Sequence, residues 1–347
     1  MSDLEPPLST CEREFILSSL RAGIRADARS LDESREVKIE FGAQQGTVVA
    51  SIGDTKVMCV VSGDLVAPRS DRPAEGILQF QAHYGPMATP AHAIAGGDGG
   101  SFRAVELGRL LDEGMRQSRA LDAESLCVLA GHKVWQVRVD THVLDDAGNV
   151  LDCASLAAMT ALCHFRRPDV TVNSHDNSVI IHSVTDKQPV PLALHHTPLS
   201  ASAALLQDPT QETLVHDPSL QEELLSQARL TCMINQHGQL CCVQKSGGTA
   251  VDADVFLRFV ETAHEKVHEL QKLMKEALEK DKKDPRRSHI PLALRQMQRR
   301  AAEATRFDNT KHVVPVRTST CREHLYAPSL QVKASEESDE LRTVVEA

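Results

Sequence analysis

Residues 125–170 constrain the fold more than any other part of the chain, because they join a strand, a turn and a buried helix. Apolar and polar residues alternate over residues 135–143, a period of two that predicts a strand with one buried face. Residues 145–149 predict a turn, and residues 152–164 are mostly small and apolar. We therefore expect this helix to pack closely against a sheet and to end before Pro168.

Helical patterns occur in three other places. Ser9 and Glu12 have the spacing of a capping box, so residues 10–22 predict a helix, which is too short to be stable unless it docks on another surface. Residues 254–280 carry an apolar stripe with a 4-3 alternation, which predicts packing on the core, with a coiled coil as the alternative. Residues 103–119 predict a further helix. Its expected core positions are Val105, Leu107, Leu110, Leu111 and Met115.

Strand patterns occur in the stretches between these predicted helices. Two β-rich runs flank residues 53–55, which predicts a hairpin, and further strands are expected within residues 192–205 and 230–244. This order of strands and helices predicts an α+β fold with two similar halves. The predicted parts are an N-terminal docking helix with a linking segment (1–30), a first half (31–188), a second half (189–281) and a charged tail (282–347).

The composition of the last part differs from that of the rest. Residues 282–322 hold eleven Lys or Arg against three acids, and residues 335–347 are acidic with little apolar content. Segments of this kind bury too little apolar surface to offset their conformational entropy. The tail is therefore expected to be mostly disordered.

Overall composition excludes several classes of protein. The 347 residues are 41% hydrophobic, enough for a substantial core, yet no stretch approaches the ~20 apolar residues of a membrane span, so we expect a soluble intracellular protein. The net charge of −10 argues against a broad basic surface that binds nucleic acid unaided. Nine cysteines without a C-x-x-C pair are interpreted as reduced core residues; disulfides or zinc ligands are the alternative.

Several of these stretches together resemble the ribonuclease PH family and, within it, the ring subunits of the RNA exosome. The most specific are ESLCV, VWQVRVD and ALCHFRRPD, and Arg25, Asp27 and Arg29 match the family's R-x-D-G-R motif with Ala28 in place of Gly. The resemblance covers residues 8–280. It implies two ribonuclease PH-like halves, each similar to domain 2 of ribosomal protein S5.

The resemblance also implies where a phosphorolytic site would lie. Active members hold phosphate with a Gly-Ser/Thr-Arg triplet at a helix N-terminus, where backbone N–H groups favour anions. Here residues 149–151 are Asn, Val and Leu, followed by Asp152, which we expect to occupy the anion position itself. Asp112 and Glu113 stand nearest to the family's second phosphate-binding arginine. At an effective dielectric of ~20 and ~6 Å, each like charge disfavours phosphate by roughly 3 kcal/mol.

Asp217 stands near the family's catalytic aspartate. A single acid without a group that holds phosphate does not make a phosphorolytic site. Because Asp217 precedes Pro218, we interpret it as a turn residue in preference to a catalytic one.

RNA contact is the remaining candidate activity, and it rests on four arginines. The Pro-flanked loop APRSDRP, with Arg69 and Arg72, resembles the family loop that faces the central channel, where arginines contact phosphates without reading bases. Arg109 and Arg116 lie seven residues apart on one predicted helix and extend that path. The alternatives are an ordinary exposed loop for the first pair and an ion pair with Asp112 for Arg116.

These observations predict a non-catalytic exosome ring subunit that helps to form a channel for 3′ to 5′ RNA processing and degradation. The resemblance implies a hetero-hexameric ring of ribonuclease PH-like subunits, cap subunits with RNA-binding domains, a hydrolytic nuclease, RNA as a partner, no membrane, and a location in nucleus, nucleolus and cytoplasm. The alternative is an active phosphorolytic exoribonuclease subunit. No cofactor or metal is expected, since the adjacent His195 and His196 would point to opposite faces of a strand.

Overall fold

The alternating segment around Trp135 forms the central strand of the first half of the protein. The computed structural model describes residues 8–85, 87–88, 102–173, 178–183, 186–207 and 212–283. The predicted disordered tail lies almost entirely outside these residues, so its disorder stays a prediction.

The described elements alternate along the chain, with five helices separated by four groups of strands. The helices are α1 Thr10–Arg21, α2 Phe102–Asp112, α3 Val150–His164, α4 Leu220–Leu225 and α5 Ala253–Lys283. The strands of the first half are β1 Val37–Phe41, β2 Thr47–Ile52, β3 Thr55–Val66, β4 Ile77–Tyr84, β5 Cys127–Leu129 and β6 Lys133–Asp145. Next come β7 Arg166–Arg167, β8 Val170–Asn173, β9 Ser178–Ile181 and β10 Val190–Pro191. The second half adds β11 Leu199–Gln207, β12 Glu212–His216, β13 Ala228–Ile234 and β14 Leu240–Gly247.

A six-stranded sheet carries the first half. Its order is β1-β2-β3-β6-β4, with β5 paired to β6; only the β4–β6 pair is parallel. The predicted hairpin is confirmed, because β2 and β3 meet at Gly53, whose φ of 58° is the left-handed conformation that Gly adopts without strain. Along β6 the residues predicted to face inward are buried, and the intervening polar residues are partly exposed.

Helix α3 lies between the two sheets. It packs on β2, β3 and β6 of the first sheet and on β11 of a second, antiparallel sheet of order β12-β11-β13-β14. Every residue of α3 except Cys163 is buried. The prediction of close packing is therefore confirmed, and the small side chains explain it, since two sheets approach one helix.

Helix α5 packs its stripe on the core, as predicted. Phe259, Ala263, Val267 and Met274 are buried, and Gln271 within the same stripe donates a hydrogen bond to the Thr197 carbonyl. The coiled-coil alternative is therefore not needed to explain the stripe. Burial of one helical face against a sheet supplies the hydrophobic stabilisation.

Two details of the predicted helices were wrong. Val105 was expected in the core but is 62% exposed, whereas Leu107, Leu111 and Met115 are buried as predicted. The second helix is also interrupted, because residues Glu113–Gln117 form a π-helical turn. A wider turn of this kind changes the direction in which later side chains point.

Helix α1 docks on the second sheet. Ser9 and Glu12 form the predicted capping box, with the Glu12 N–H donating to Ser9 Oγ at 3.2 Å and the Ser9 N–H donating to Glu12 Oε2 at 2.9 Å. Ile16 and Leu20 are buried against Ala204, Leu206 and Val215.

The cysteines of the described residues form no disulfide bonds. The eight cysteines within the described residues are free thiols, and burial raises the pKa of Cys59, Cys153 and Cys232 to about 12. Thiols with so high a pKa are poor nucleophiles.

No helix in the described part of the chain is long and apolar enough to cross a membrane.

Candidate functional site

The turn between β6 and α3 places the helix N-terminus where the sequence predicts a phosphate position. Gly148 adopts φ 93°, and an added Cβ would lie 2.4 Å from the backbone nitrogen of Leu220, so no other residue fits. Asn149 follows with φ 55° as the N-cap of α3. The backbone N–H and the side-chain amide of Asn149 therefore face the segment that contains Glu223 and Asp217.

A carboxylate occupies this helix terminus, but it belongs to Glu223. The Asn149 backbone N–H donates to Glu223 Oε1 at 2.8 Å, and Arg229 Nη2 lies 3.0 Å from Glu223 Oε2. Burial raises the pKa of Glu223, while Arg229 and the Asn149 N–H oppose this. An internal anion thus already uses the N–H group that would favour phosphate.

Our expectation that Asp152 fills the anion position was wrong. Its side chain turns toward β11, where it accepts hydrogen bonds from Ser200 Oγ at 2.7 Å and from the Ser202 N–H and Oγ at 2.8 and 2.9 Å. Burial raises the pKa of Asp152. Asp152 joins α3 to the second sheet, because the third residue of a helix points along its side and not beyond its end.

Asp217 is the centre of an ion-pair cluster. It precedes Pro218 in a turn with φ 47°, as the turn interpretation predicts, but its carboxylate also pairs with Arg35 at 2.7 Å and Arg29 at 3.1 Å. Asn149 Nδ2 donates to Asp217 Oδ1 at 2.7 Å. Burial opposes ionisation, yet the hydrogen bonds and charge of Arg35 outweigh it and lower the pKa of Asp217 to about 2.

A cavity of about 100 Å³ lies beside the start of α3, and both of its arginines are paired with carboxylates. Arg103 Nη1 lies 3.2 Å from Asp146 Oδ2, and Arg229 pairs with Glu223. Glu106 adds a third carboxylate to the lining. Three carboxylates and two guanidinium groups leave the cavity with no net positive charge to hold a phosphate dianion.

The assignment of Asp112 and Glu113 as nearest equivalents of the family's second arginine stays a prediction. Neither residue lines the cavity: Asp112 pairs with Arg116, whereas Arg103, in the first turn of α2, reaches the cavity together with Arg229. Arg103 was missed, although it stands at the start of the predicted helix. Glu223 was also missed, although Ser219 and Glu222 have the capping-box spacing that predicts α4.

The four arginines predicted to bind RNA lie in two places. Arg69 and Arg72 are exposed in the loop between β3 and β4, where they form an isolated antiparallel bridge, and Arg72 Nη1 lies 2.9 Å from Glu75 Oε2. The loop is tied to the body by the Gly76 N–H, which donates to the Ala123 carbonyl at 2.8 Å. The side chain of Arg69 is exposed beside this anchored end of the loop.

The other pair lies on and after α2. Arg109 is exposed on the helix, whereas Arg116 makes two hydrogen bonds to Asp112 at 2.6 and 2.5 Å. The alternative of an internal ion pair therefore describes Arg116, and the π-helical turn separates it from the direction of Arg109. RNA binding by these four residues stays a prediction.

Histidine arrangements add no metal centre among the residues that the structure describes. Within them no three His, Cys, Asp or Glu side chains lie close enough to hold an ion. His196 Nε2 lies 3.2 Å from Ser118 Oγ, and burial lowers the pKa of His196.

Comparison with known proteins decides the family. The models of domain 1 and domain 2 of the 3′ exoribonuclease family (RNase PH) match residues 33–168 and 196–266. The chain belongs to the RNase PH family. The α+β prediction with two RNase PH-like halves is thereby confirmed.

Three curated relatives are named exosome complex component RRP45 or RRP45A. The Bos taurus protein is 42% identical over 279 residues, which are 80% of this chain and 62% of the relative. Arabidopsis thaliana RRP45A is 40% identical over 78% of this chain and 87% of the relative, and the Schizosaccharomyces pombe protein is 34% identical over 78% and 90%. The match thus spans less than two thirds of the length of the Bos taurus relative.

Two solved archaeal structures have a fold similar to that of this chain. The Archaeoglobus fulgidus exosome with RNA bound to the active site is matched with a TM-score of 0.63 and 28% identity, over 76% of this chain and 97% of that chain. An archaeal exosome core gives a TM-score of 0.61, also at 28% identity, over 76% and 96%. This RNase PH chain therefore retains the family fold around a helix N-terminus that its own Glu223 occupies.

Proposed function

We propose that this chain is a non-catalytic ring subunit of an RNA exosome, which supports a channel for 3′ to 5′ RNA processing and degradation. The observation that carries the proposal is the hydrogen bond from the Asn149 N–H to Glu223. Arg103 and Arg229 are each paired with a carboxylate, so the cavity has no net positive charge with which to bind phosphate. The Asn149 N–H at the helix terminus is already hydrogen-bonded to Glu223. The relatives named as exosome components support the assembly part of the proposal.

The proposed partners are other RNase PH-like subunits in a hetero-hexameric ring, cap subunits with RNA-binding domains, a hydrolytic nuclease and RNA. The archaeal exosome structures support a multi-subunit ring. Arg69 and Arg72 are the proposed channel contacts, since both are exposed and phosphate contact requires no base recognition. The proposed locations are nucleus, nucleolus and cytoplasm, which imaging of the tagged chain tests.

The direct test is an assay for phosphorolysis. The purified chain, alone and co-expressed with RNase PH-like partners but without a hydrolytic nuclease, is incubated with uniformly labelled poly(A), Mg²⁺ and phosphate. We expect no nucleoside diphosphates from the chain alone, because its phosphate position holds a carboxylate. Release of nucleoside monophosphates would reveal a contaminating hydrolase and not this chain.

An Arg103→Ala variant shows whether any phosphorolytic activity of the assembly belongs to this chain or to a partner subunit. If a partner subunit is phosphorolytic, its rate should not change when Arg103 of this chain is replaced. Loss of diphosphate release with Arg103→Ala, with ring assembly intact, would mean that this chain holds the phosphate. The non-catalytic proposal would then be wrong.

A further inference from the structure

The turn between β5 and β6, residues 130–132, touches the loop that carries the proposed RNA contacts, residues 67–76. The Gly131 N–H donates to the Pro73 carbonyl at 3.0 Å, so a backbone hydrogen bond joins the two segments. Lys133 follows the turn as the first residue of β6, and its side chain is exposed. The fold thus brings a lysine that no sequence motif singles out to the edge of the arginine loop.

The pairing of β3 with β6 sets how close Lys133 comes to Arg69. Val66, the last residue of β3, lies opposite Val134, so Ala67, the first residue of the loop, lies beside Lys133. Arg69 is two residues further along. Two residues span at most about 7 Å and opposite Cα atoms are about 5.5 Å apart, which puts the Cα atoms of Arg69 and Lys133 within roughly 13 Å of each other. Two side chains as long as these can therefore contact the same strand of RNA.

Backbone hydrogen bonds hold the turn at two points. The His132 N–H donates to the Leu129 carbonyl at 3.0 Å and closes the turn, while the Gly131 N–H is bonded to the loop. Gly131 has a φ of 78°, and no atom lies within 4 Å of a Cβ added there, so its backbone conformation and not crowding favours glycine. The start of β6, with Lys133, is therefore positioned by the turn and by the loop together.

The charges of the loop and the turn favour an anionic partner. Arg69 and Lys133 have no carboxylate partner among the described residues, whereas Arg72 pairs with Glu75 at 2.9 Å in an exposed ion pair that contributes little. With Asp71, the two segments and Lys133 hold three cations against two acids. The chain as a whole has a net charge of −10, but charges more than about 8 Å away are largely screened at physiological ionic strength. The local excess of cations therefore determines what this surface attracts.

We propose that Lys133 and Arg69 together hold the phosphate backbone of one RNA strand, and that the turn at residues 130–132 belongs to this RNA-binding surface. The inference rests on the proposed function, because it takes the arginine loop to face the RNA, and it adds a second segment and a further cation to that contact. Ammonium and guanidinium groups contact phosphates without reading bases. The surface should therefore bind single strands of any sequence.

The test measures binding of fluorescently labelled oligo(A) and oligo(U) to the assembled ring, without the hydrolytic nuclease, over a range of salt concentrations. Lys133→Ala should reduce the slope of log affinity against log salt by about 0.7 for both RNAs, the value for one phosphate contact with a single strand. Arg69→Ala/Lys133→Ala should reduce the slope by about 1.4. Lys133→Arg should keep the slope of the unchanged ring, because it keeps the charge.

The matched control is Lys56→Ala, which removes the same charge from the same sheet. Lys56 is exposed on β3 but stands ten residues before Val66, so it lies about 33 Å along the strand from the start of the loop. Its loss should leave the salt slope unchanged. Both lysines are exposed, so light scattering and the thermal midpoint should show the same assembled ring for every variant.

Four results would overturn the inference. An unchanged slope for Lys133→Ala beside a reduced slope for Arg69→Ala would remove Lys133 from the surface and leave the proposed function standing. A ring that binds neither RNA would contradict the proposed function and the inference with it. Equal losses for Lys133→Ala and Lys56→Ala would show general attraction to positive charge. Binding of a glutamate-rich peptide that depends on Lys133, with RNA binding that does not, would assign the surface to an acidic segment of a partner protein.

Discussion

Asp217 is a single residue on which a buried ion-pair network depends. Its carboxylate joins Arg29 and Arg35 of the N-terminal segment to Asn149 at the start of α3. Both arginines are largely buried, with 12% side-chain exposure, and both pair with this carboxylate, while Arg29 also pairs with Asp27. The cluster therefore ties three distant parts of the sequence together.

The pH dependence of Asp217 follows from its lowered pKa. The folded value of about 2 lies below the ordinary value of 3.8, so its stabilisation is complete above about pH 4 and is lost as the pH falls from 4 to 2. Asp217→Asn should lower the free energy of unfolding at pH 7 by at least about 2 kcal/mol, and this difference should shrink toward pH 2. Urea unfolding at several pH values measures it.

The matched control is Asp27→Asn, which removes a carboxylate that also pairs with Arg29, at 2.6 Å, but is 45% exposed. Exposed ion pairs contribute only about 0–1 kcal/mol, so this change should be small at every pH. Equal losses for the two variants would show that Asp217 is not the centre of the cluster.

The sequence predicted what is missing from the phosphate site better than what fills it. Residues 149–151 have no cation, and that is readable from one segment. Glu223 on α4 and Arg103 on α2 reach the same cavity from positions 74 and 46 residues away from Asn149, a proximity that no local pattern contains. Asp152 was misplaced because its direction depends on where the helix begins, and helix ends are the least certain part of a prediction.

At the scale of elements, α1 is a helix whose stability depends on docking. A 12-residue helix is marginal in water, so burial of Ile16 and Leu20 holds it in place. Ile16→Ala should reduce the hydrogen-exchange protection of residues 10–21, because it removes roughly 2–5 kcal/mol of packing from an element with few other contacts. Protection of α3 should not change.

Phe15→Ala provides the comparison on the same helix. Phe15 is 63% exposed, so its replacement should leave the exchange of α1 nearly unaltered in the isolated chain. If both variants reduce protection to the same extent, propensity and not docking determines the stability of α1.

The loop between β3 and β4 carries the RNA prediction. If Arg69 and Arg72 contact phosphates, Arg69→Ala/Arg72→Ala should reduce the salt slope of single-stranded RNA binding by about 1.4, or about 0.7 for each contact, equally for different sequences. Binding is measured in the assembled ring without the hydrolytic nuclease. A sequence-dependent loss would point to base recognition instead.

Arg13→Ala/Arg258→Ala is the charge-matched control, since both residues are exposed on helices distant from this loop in sequence. The salt slope of RNA binding by this control variant should equal that of the wild-type ring. If the Arg69→Ala/Arg72→Ala variant also has the wild-type slope, Arg69 and Arg72 are ordinary surface residues.

Periodic elements were predictable, whereas irregular ones were not. The burial of β6, α3 and α5 follows from residue spacing alone. The π-helical turn at Glu113–Gln117 and the exposure of Val105 depend on tertiary packing around α2. Strand β12 and helix α4 were not predicted. The segment around Asp217 that contains them was compared with the catalytic segment of the family, and its strand and helix patterns were not considered.

At the scale of the whole molecule, the edges of the two sheets differ in character. Edge strand β1 presents the charged Lys38 and Glu40, whereas edge strand β14 presents Leu240 and Val243, each 47% exposed. Charged edges resist pairing with other strands, and apolar edges invite it. An RNase PH subunit in a ring would have such an edge covered by a neighbour.

The isolated chain is therefore expected to self-associate at micromolar concentration, and co-expression with an RNase PH-like partner should give a 1:1 species by light scattering. Val243→Lys should lower the self-association of the isolated chain, because a buried charge at a paired edge is costly. Lys38→Glu, on the edge that is already charged, should have little effect. A monomer formed by the unchanged chain, or equal effects of the two variants, would mean that β14 is not the reactive edge and that the surface covered in an assembly lies elsewhere.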